Sequence, residues 1–286
     1  MRALALALAI AAIASSAAAQ PADLPAQCRS VNGAIDWNAC LEAAPADAPW
    51  RPLVLINLGT EALMRHDYAN AVRYYDEASP PERQVYSDVT FHAFRSIAYW
   101  RVERNEEAQR DAQTALRMLR RDPSLPIPPQ RYLPPGVEID VSYAFILPVL
   151  KDTGAEEFPS AMREFMALPA TDWVSYANRS AVLLETGDLS EALQMSARAL
   201  ERAPNEAAVL NNHCYIHVRM NLADAALPYC ERAVAAAPQI PEVRHSMASA
   251  LALLGRCEDA QHELTEARRL DPASVEYQQP IACEVN

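Results

Sequence analysis

Between residues 213 and 230 the sequence reads HCYIHVRMNLADAALPYC, with two histidines and two cysteines in one short stretch. Three chemistries use such residues. His213 and His217 stand at i and i+4, the helical spacing at which two imidazoles can share a metal ion, and Cys214 lies on a neighbouring part of that face. A cysteine near a histidine can also serve as a thiolate nucleophile with its base. Cys214 and Cys230 can instead be the two ends of a structural disulfide. No acidic residue sits between the histidines as it does in HExxH peptidases, which weakens the zinc reading. Which chemistry holds depends on the elements that place these residues and on the compartment they reach.

The compartment is indicated at the N terminus. Residues 1–19, MRALALALAIAAIASSAAA, combine one early arginine, an apolar run and a tail of small residues, the composition of a secretory signal peptide. Cleavage is expected near Ala19, giving a periplasmic or secreted chain. No later stretch approaches the roughly twenty apolar residues of a membrane helix, so the mature chain is expected to have no transmembrane segment. Cys28, Cys40, Cys214, Cys230, Cys257 and Cys283 all follow the leader. An even count in an oxidising compartment reads as three disulfides, although six cysteines formally allow fifteen pairings. The formal net charge of −12 argues against nucleic acid as a partner, whose phosphates would be repelled, and gives no sign of an anionic-lipid surface.

With 51% hydrophobic residues and only six glycines, and with no alternating β-branched runs, the chain is expected to be all-α. The motifs GxSxG, GxxxxGK[ST] and GxGxxG are absent, so neither a catalytic residue nor a cofactor is expected. The ordering principle is a period. ETGDLSEAL (185–193), RMNLADAAL (219–227) and LLGRCEDAQ (253–261) are spaced by 34 residues, which superimposes Ala192, Ala226 and Ala260, then Ala199, Ala233 and Ala267, then Pro204, Pro238 and Pro272. Gly187, Asn221 and Gly255 share one position, as suits a left-handed residue closing a helix. Each unit therefore reads as a helical hairpin, with small residues where its helices approach.

This pattern resembles the tetratricopeptide repeat, a 34-residue helix-turn-helix motif that stacks into a right-handed superhelix, an α-solenoid. A further copy is visible in Leu58, Gly59, Tyr68, Ala71, Tyr75 and Ala78, and another in Tyr99, Ala108 and Ala115. The domain reading is a signal peptide at 1–19, a disulfide-containing cap at 20–50, two repeats at 51–122, a proline-rich linker at 123–140, a degenerate hairpin without the alanine spacing at 141–169, three repeats at 170–273 and a C-terminal cap at 274–286.

The resemblance implies the rest. Its register turns Cys214 and Cys230 toward each other inside one hairpin, puts Cys257 at the start of the last second helix where Cys283 could bolt the cap, and leaves Cys28 for Cys40. The first helices of the repeats line a concave groove that in this family receives an extended peptide or partner helix. On this chain the groove residues are Asn57, Thr60 and Met64; Ala93, Ile97, Trp100 and Arg101; Asn178 and Glu185; Asn211, Asn212, Tyr215 and Arg219; and His245 and Ser249. Asn57, Asn178 and Asn212 fall at the sixth position, where an amide can both donate to and accept from a peptide backbone. Relatives that clamp a C-terminal carboxylate use groove lysines, which are missing here: the one lysine is Lys151. The expected function is a non-enzymatic scaffold of the cell envelope that binds a protein or peptide in the groove. The alternative is an exported binder of a small ligand, metal or cell-wall fragment, using His213 and His217 or the aromatic residues Tyr99, Trp100 and Tyr215.

Overall fold

A computed structural model of the chain describes residues 28, 35–79, 89–120, 135–272 and 274–283. The leader 1–19, most of 20–34 and the proline-rich stretch 123–134 lie outside the described residues. Among the described residues there are fourteen α-helices and no strand. The chain divides into two compact units, one within 12–165 and one within 166–286. The first holds α1 (Trp37–Ala43) and the hairpins α2 (Arg51–Met64) with α3 (Tyr68–Ala78), α4 (Val89–Arg101) with α5 (Asn105–Leu119), and α6 (Pro135–Asp152) with α7 (Phe158–Ala167). The second holds α8 (Trp173–Thr186) with α9 (Leu189–Arg202), α10 (Ala207–Arg219) with α11 (Ala223–Ala236), α12 (Pro241–Leu253) with α13 (Cys257–Leu270), and the short α14 (Val275–Gln278). We call the first member of each hairpin its A helix and the second its B helix.

Every A helix ends in the same way. A residue with positive φ follows it: His66 (58°), Glu103 (64°), Gly154 (69°), Gly187 (89°), Asn221 (59°) and Gly255 (72°). The next amide then reaches back to a carbonyl in the last turn, Asp67 to Ala62, Arg104 to Tyr99, Ala155 to Leu150, Asp188 to Leu183, Leu222 to His217 and Arg256 to Leu251, at 2.9–3.0 Å. This six-to-one bond and the left-handed residue are the Schellman closure, which satisfies carbonyls the helix would otherwise leave open and reverses the chain.

Small residues set how closely the B helix returns. Ala71, Ala108, Ala192, Ala226 and Ala260 are each no more than 4% exposed, and each bonds through its amide to the carbonyl of the residue before its helix at 2.9–3.0 Å. Ala161 makes the same bond to Glu157 at 2.9 Å and is fully buried. The hairpin at 141–169 therefore keeps the alanine, contrary to the sequence expectation. Two extra residues between Gly154 and α7 shift it out of the 34-residue register. The linker boundary also moves, because α6 begins at Pro135 rather than after 140. Proline suits a first helical position, where its missing N–H has no intrahelical partner to lose.

A second pair of positions marks the closest approach of A and B helices. In the first hairpin it is Gly59 against Tyr75, where a Cβ on the glycine would come 2.7 Å from the tyrosine ring. In the α10–α11 hairpin the same pair is Cys214 and Cys230, joined as a disulfide with Cα atoms 5.2 Å apart. Cys28 is joined to Cys40 across 5.0 Å and Cys257 to Cys283 across 5.6 Å. The first of these packs with Val54 and Leu58 beneath Trp37, Leu41 and Trp50, so the N-terminal segment covers the apolar side of the first hairpin. At the other end, A helices start at Trp173, Ala207, Pro241 and Val275, each 34 residues after the last. The C-terminal cap is thus the first turn of a fourth A helix in register. It buries Tyr277, stops before Pro280, and is held to α13 by Arg268 Nε donating to the Tyr277 carbonyl at 2.6 Å.

Candidate functional site

Within 166–286 the A helices α8, α10 and α12 lie side by side. The repeat register assigns to their facing surface Asn178, Asn211, Asn212, Tyr215, Arg219, His245 and Ser249. The three asparagines are deeply buried, at 2%, 6% and 2% exposure, because each A helix packs on the next. Asn212 Nδ2 donates to the Ala177 carbonyl at 3.4 Å and to Ser180 Oγ at 3.1 Å, and Ser180 passes its own hydrogen to the Ala192 carbonyl. The amide nitrogen of Asn212 thus ties α10 to α8. Its Oδ1, together with Asn211 Oδ1 and Asn178 Nδ2, has no hydrogen-bond partner among the described residues. Orphaned buried polar atoms are costly, on the order of 1–3 kcal/mol each.

The charged groups of this face crowd toward its C-terminal end. Burial pushes the Tyr215 phenol up to about 12, with Glu276 and Glu185 adding to the rise and Arg219 opposing it. Burial raises the Glu242 carboxyl to about 7, and the Asp271 and Glu276 charges work in the same direction. Burial holds His245 neutral by lowering it to about 4.

Within 12–165 the corresponding residues are engaged differently. Asn57 Nδ2 donates to the Leu53 carbonyl of its own helix at 2.8 Å. Where α8 and α10 carry asparagine at the sixth position, α4 and α6 carry Phe94 and Phe145, whose rings meet at 4.7 Å. Trp100 is buried and donates from Nε1 to Asp152 at 2.8 Å. The Arg101 guanidinium lies 4.9 Å from the Trp100 ring centre and 5.6 Å from that of Tyr68, while Met64 is half-buried. A buried network the sequence reading missed lies between α4 and α5: Arg95 donates to Asp111 through Nε at 2.5 Å and Nη2 at 2.9 Å, and His92 Nδ1 is 2.9 Å from the same carboxylate. Burial works against the Asp111 charge, but hydrogen bonds with His92 and Arg95 hold its carboxyl below the usual range. Its only sequence signal is a lone carboxylate facing a B-helix alanine pattern.

His213 and His217 point away from this chemistry. His213 Nδ1 is 2.8 Å from Ser196 Oγ. His217 Nδ1 is 2.9 Å from the His213 carbonyl oxygen, so that nitrogen carries the hydrogen. The His213 ring meets those of His217 and Tyr229 edge-to-face at 4.7 and 4.5 Å, and His217 stacks on Tyr229 at 5.9 Å. Burial, and then the His217 charge, lower His213 to about 4. With Cys214 bound to Cys230, no group of three or more metal-ligating side chains forms among the described residues. Of the aromatic residues weighed for ligand binding, Tyr99 and Trp100 lie in one unit and Tyr215 in the other.

Among solved structures, a tetratricopeptide repeat protein from Parabacteroides merdae ATCC 43184 superimposes with a TM-score of 0.52 at 12% identity, over 85% of this chain and 90% of that one. The chain has the tetratricopeptide-repeat fold. Weaker likenesses include TTC0263, a thermophilic TPR protein of Thermus thermophilus, at TM-score 0.41 and 14% identity over 79% of this chain and 95% of that one. YrrB, a TPR protein with an unusual peptide-binding site, gives 0.34 and 15% over 84% and 96%. No family model and no curated protein matches the chain. Tetratricopeptide-repeat geometry accounts for the helix order and the Schellman turns.

Proposed function

We propose that this chain is a non-enzymatic interaction scaffold of the cell envelope, exported by its N-terminal leader, which holds a peptide segment of a partner protein on the A-helix face of residues 166–286. The reading is supported by the A helices that start every 34 residues and by Asn178 Nδ2, Asn211 Oδ1 and Asn212 Oδ1, which lack a hydrogen-bond partner among the described residues. A peptide backbone offers a donor and an acceptor at every residue, which is the complement these atoms lack. The export reading rests on the leader composition and on six cysteines all joined in pairs.

The test is site-specific photo-crosslinking in the source cell. A photoreactive residue replacing Ser249, on the A-helix face, is expected to capture one protein in stoichiometric yield, and the same residue replacing exposed Asn205 is not. Capture should fall when Asn178 and Asn211 are changed to alanine. Equal capture at both places, or capture indifferent to the asparagines, refutes the proposal.

A further inference from the structure

The three disulfides differ in what surrounds them. Cys28, Cys40, Cys214 and Cys230 are fully buried, the first two beside Val54 and Leu58 and the others beside Ala226 and Ala250. Cys257 and Cys283 are only partly buried, and residues close to them in the chain are exposed: Arg256, Glu258 and Asp259 near the one, Gln279, Pro280 and Ala282 near the other. Thiol–disulfide exchange requires a thiolate to reach one of the two sulfurs. Of the three bonds, only Cys257–Cys283 has its sulfur-bearing residues at the surface.

The same bond fastens the end of the last hairpin. Ile281 and Cys283 pack on Leu251, Ala252 and Ala260, beside Leu227 and Met247, and Cys283 Sγ lies 3.5 Å from the Ala252 carbonyl oxygen. Residues 279–283 make this apolar contact without helical structure of their own. The helix before them, α14, has four residues, too few to persist without tertiary contacts. Tyr277 anchors it through a buried ring and through the bond from Arg268 to its carbonyl. Beyond Tyr277 the covalent link to α13 holds the segment against loss of its order, since it removes most of the freedom that release would return.

We propose that Cys257–Cys283 is a redox-exchangeable fastener, opened selectively by a dithiol reductant of the class that a Cys-x-x-Cys oxidoreductase carries, and that its opening releases residues 279–283 from α12 and α13. One thiolate of the reductant attacks Cys283 Sγ and forms a mixed disulfide, while the bond to Cys257 breaks and Cys257 leaves as a thiolate. The second reductant thiolate attacks the mixed disulfide, closing the reductant's own disulfide and expelling Cys283 with the electron pair. The dithiol is oxidised by two electrons, and its two protons pass through solvent to the two cysteines. Cys257 is the better leaving group because it is the first residue of α13, where the open N–H groups of the first turn favour negative charge. Glu258 and Asp259 oppose that charge, Asp259 the less for its pairing with Arg256 at 2.7 Å. The inference is independent of the peptide-binding reading.

The test titrates the full, folded chain with dithiothreitol, quenches with acid, blocks free thiols by alkylation and reads each cysteine by peptide mass spectrometry. The expected result is label on Cys257 and Cys283 at dithiothreitol concentrations that leave Cys28–Cys40 and Cys214–Cys230 joined, and label on all six once urea has unfolded the chain. Three bonds opening together in the folded chain, or Cys257–Cys283 opening last, overturns the selectivity. Hydrogen exchange of the chain reduced at this one bond then tests the release: amides of 279–283 should exchange about tenfold faster or more, with α8 and α10 unchanged. A Cys257→Ser, Cys283→Ser double variant should show the same faster exchange without any reductant, which separates release from an effect of the reagent. Exchange in 279–283 that neither reduction nor the double variant alters overturns the fastener.

Discussion

At the sixth position of their A helices the two units differ: Asn178, Asn212 and Ser246 in one, Asn57, Phe94 and Phe145 in the other. The backbone problem is the same in both, three hairpins closed by the same Schellman bonds and packed through the same alanines. With phenylalanines the row becomes core, and the face is consumed in holding the hairpins together. With asparagines it leaves polar atoms unsatisfied, a cost that a bound segment can offset. One repeat geometry thus carries an aromatic row in one unit and a mostly amide row in the other.

The largest expected effect breaks the self-packed side. Phe145→Ala removes a 2%-exposed ring and should destabilise the 12–165 unit by about 3–5 kcal/mol. Urea unfolding followed by hydrogen exchange should show early exchange in α4 and α6 and little change in α10 and α12. In the other unit, replacing both Cys214 and Cys230 by serine opens a bridge spanning 16 residues and should cost ~3 kcal/mol in the chain-entropy view, read as a lower denaturation midpoint for that unit alone.

The acid end of the face supplies a sharper contrast through pH. Glu242 titrates at about 7 in the folded chain, above its unfolded value. Between roughly pH 4.5 and 7 the folded state therefore holds a proton that the unfolded state has lost, and stability falls as pH rises. His245 and His213, lowered to about 4, act in the opposite sense, their contribution being lost as pH falls below the ordinary imidazole range. Glu242→Gln should accordingly melt increasingly above the parent chain as pH rises from about 4.5 to about 7, the range set by the two pKa values. A difference constant with pH would contradict the burial of that carboxyl.

The smallest effect concerns turns. Glu103 holds a left-handed φ of 64° where the other unit uses Gly187, Asn221 and Gly255, so Glu103→Gly should stabilise by about 1 kcal/mol, seen as a modest rise in melting temperature.

Those turns also explain what could be read from sequence. Gly187, Asn221 and Gly255 announce a left-handed position, and with their alanines they made the period visible. His66 and Glu103 occupy the same position against their conformational preference, because the hairpin's packing overrides it, so the earlier copies showed through their alanines and tyrosines and, in the first, Leu58 and Gly59. Ala161 was hidden by a two-residue insertion, and Pro135 by its likeness to the prolines before it. At the candidate site, residue types and register placed Asn178, Asn211 and Asn212 on one face. Whether an amide is spent or open was not legible, since Asn212 reaches Ala177 on the preceding A helix while Asn57 folds back on Leu53. Trp100 and Asp152 lie 52 residues apart, and nothing local links them.

The central claim is that the A-helix face of 166–286, and not that of 12–165, receives the partner. Hydrogen–deuterium exchange of the full chain with and without the protein captured at Ser249 tests it most directly. The expected result is added protection in α8, α10 and α12 with α2 and α4 unchanged; protection falling on α2 and α4 instead would contradict the account.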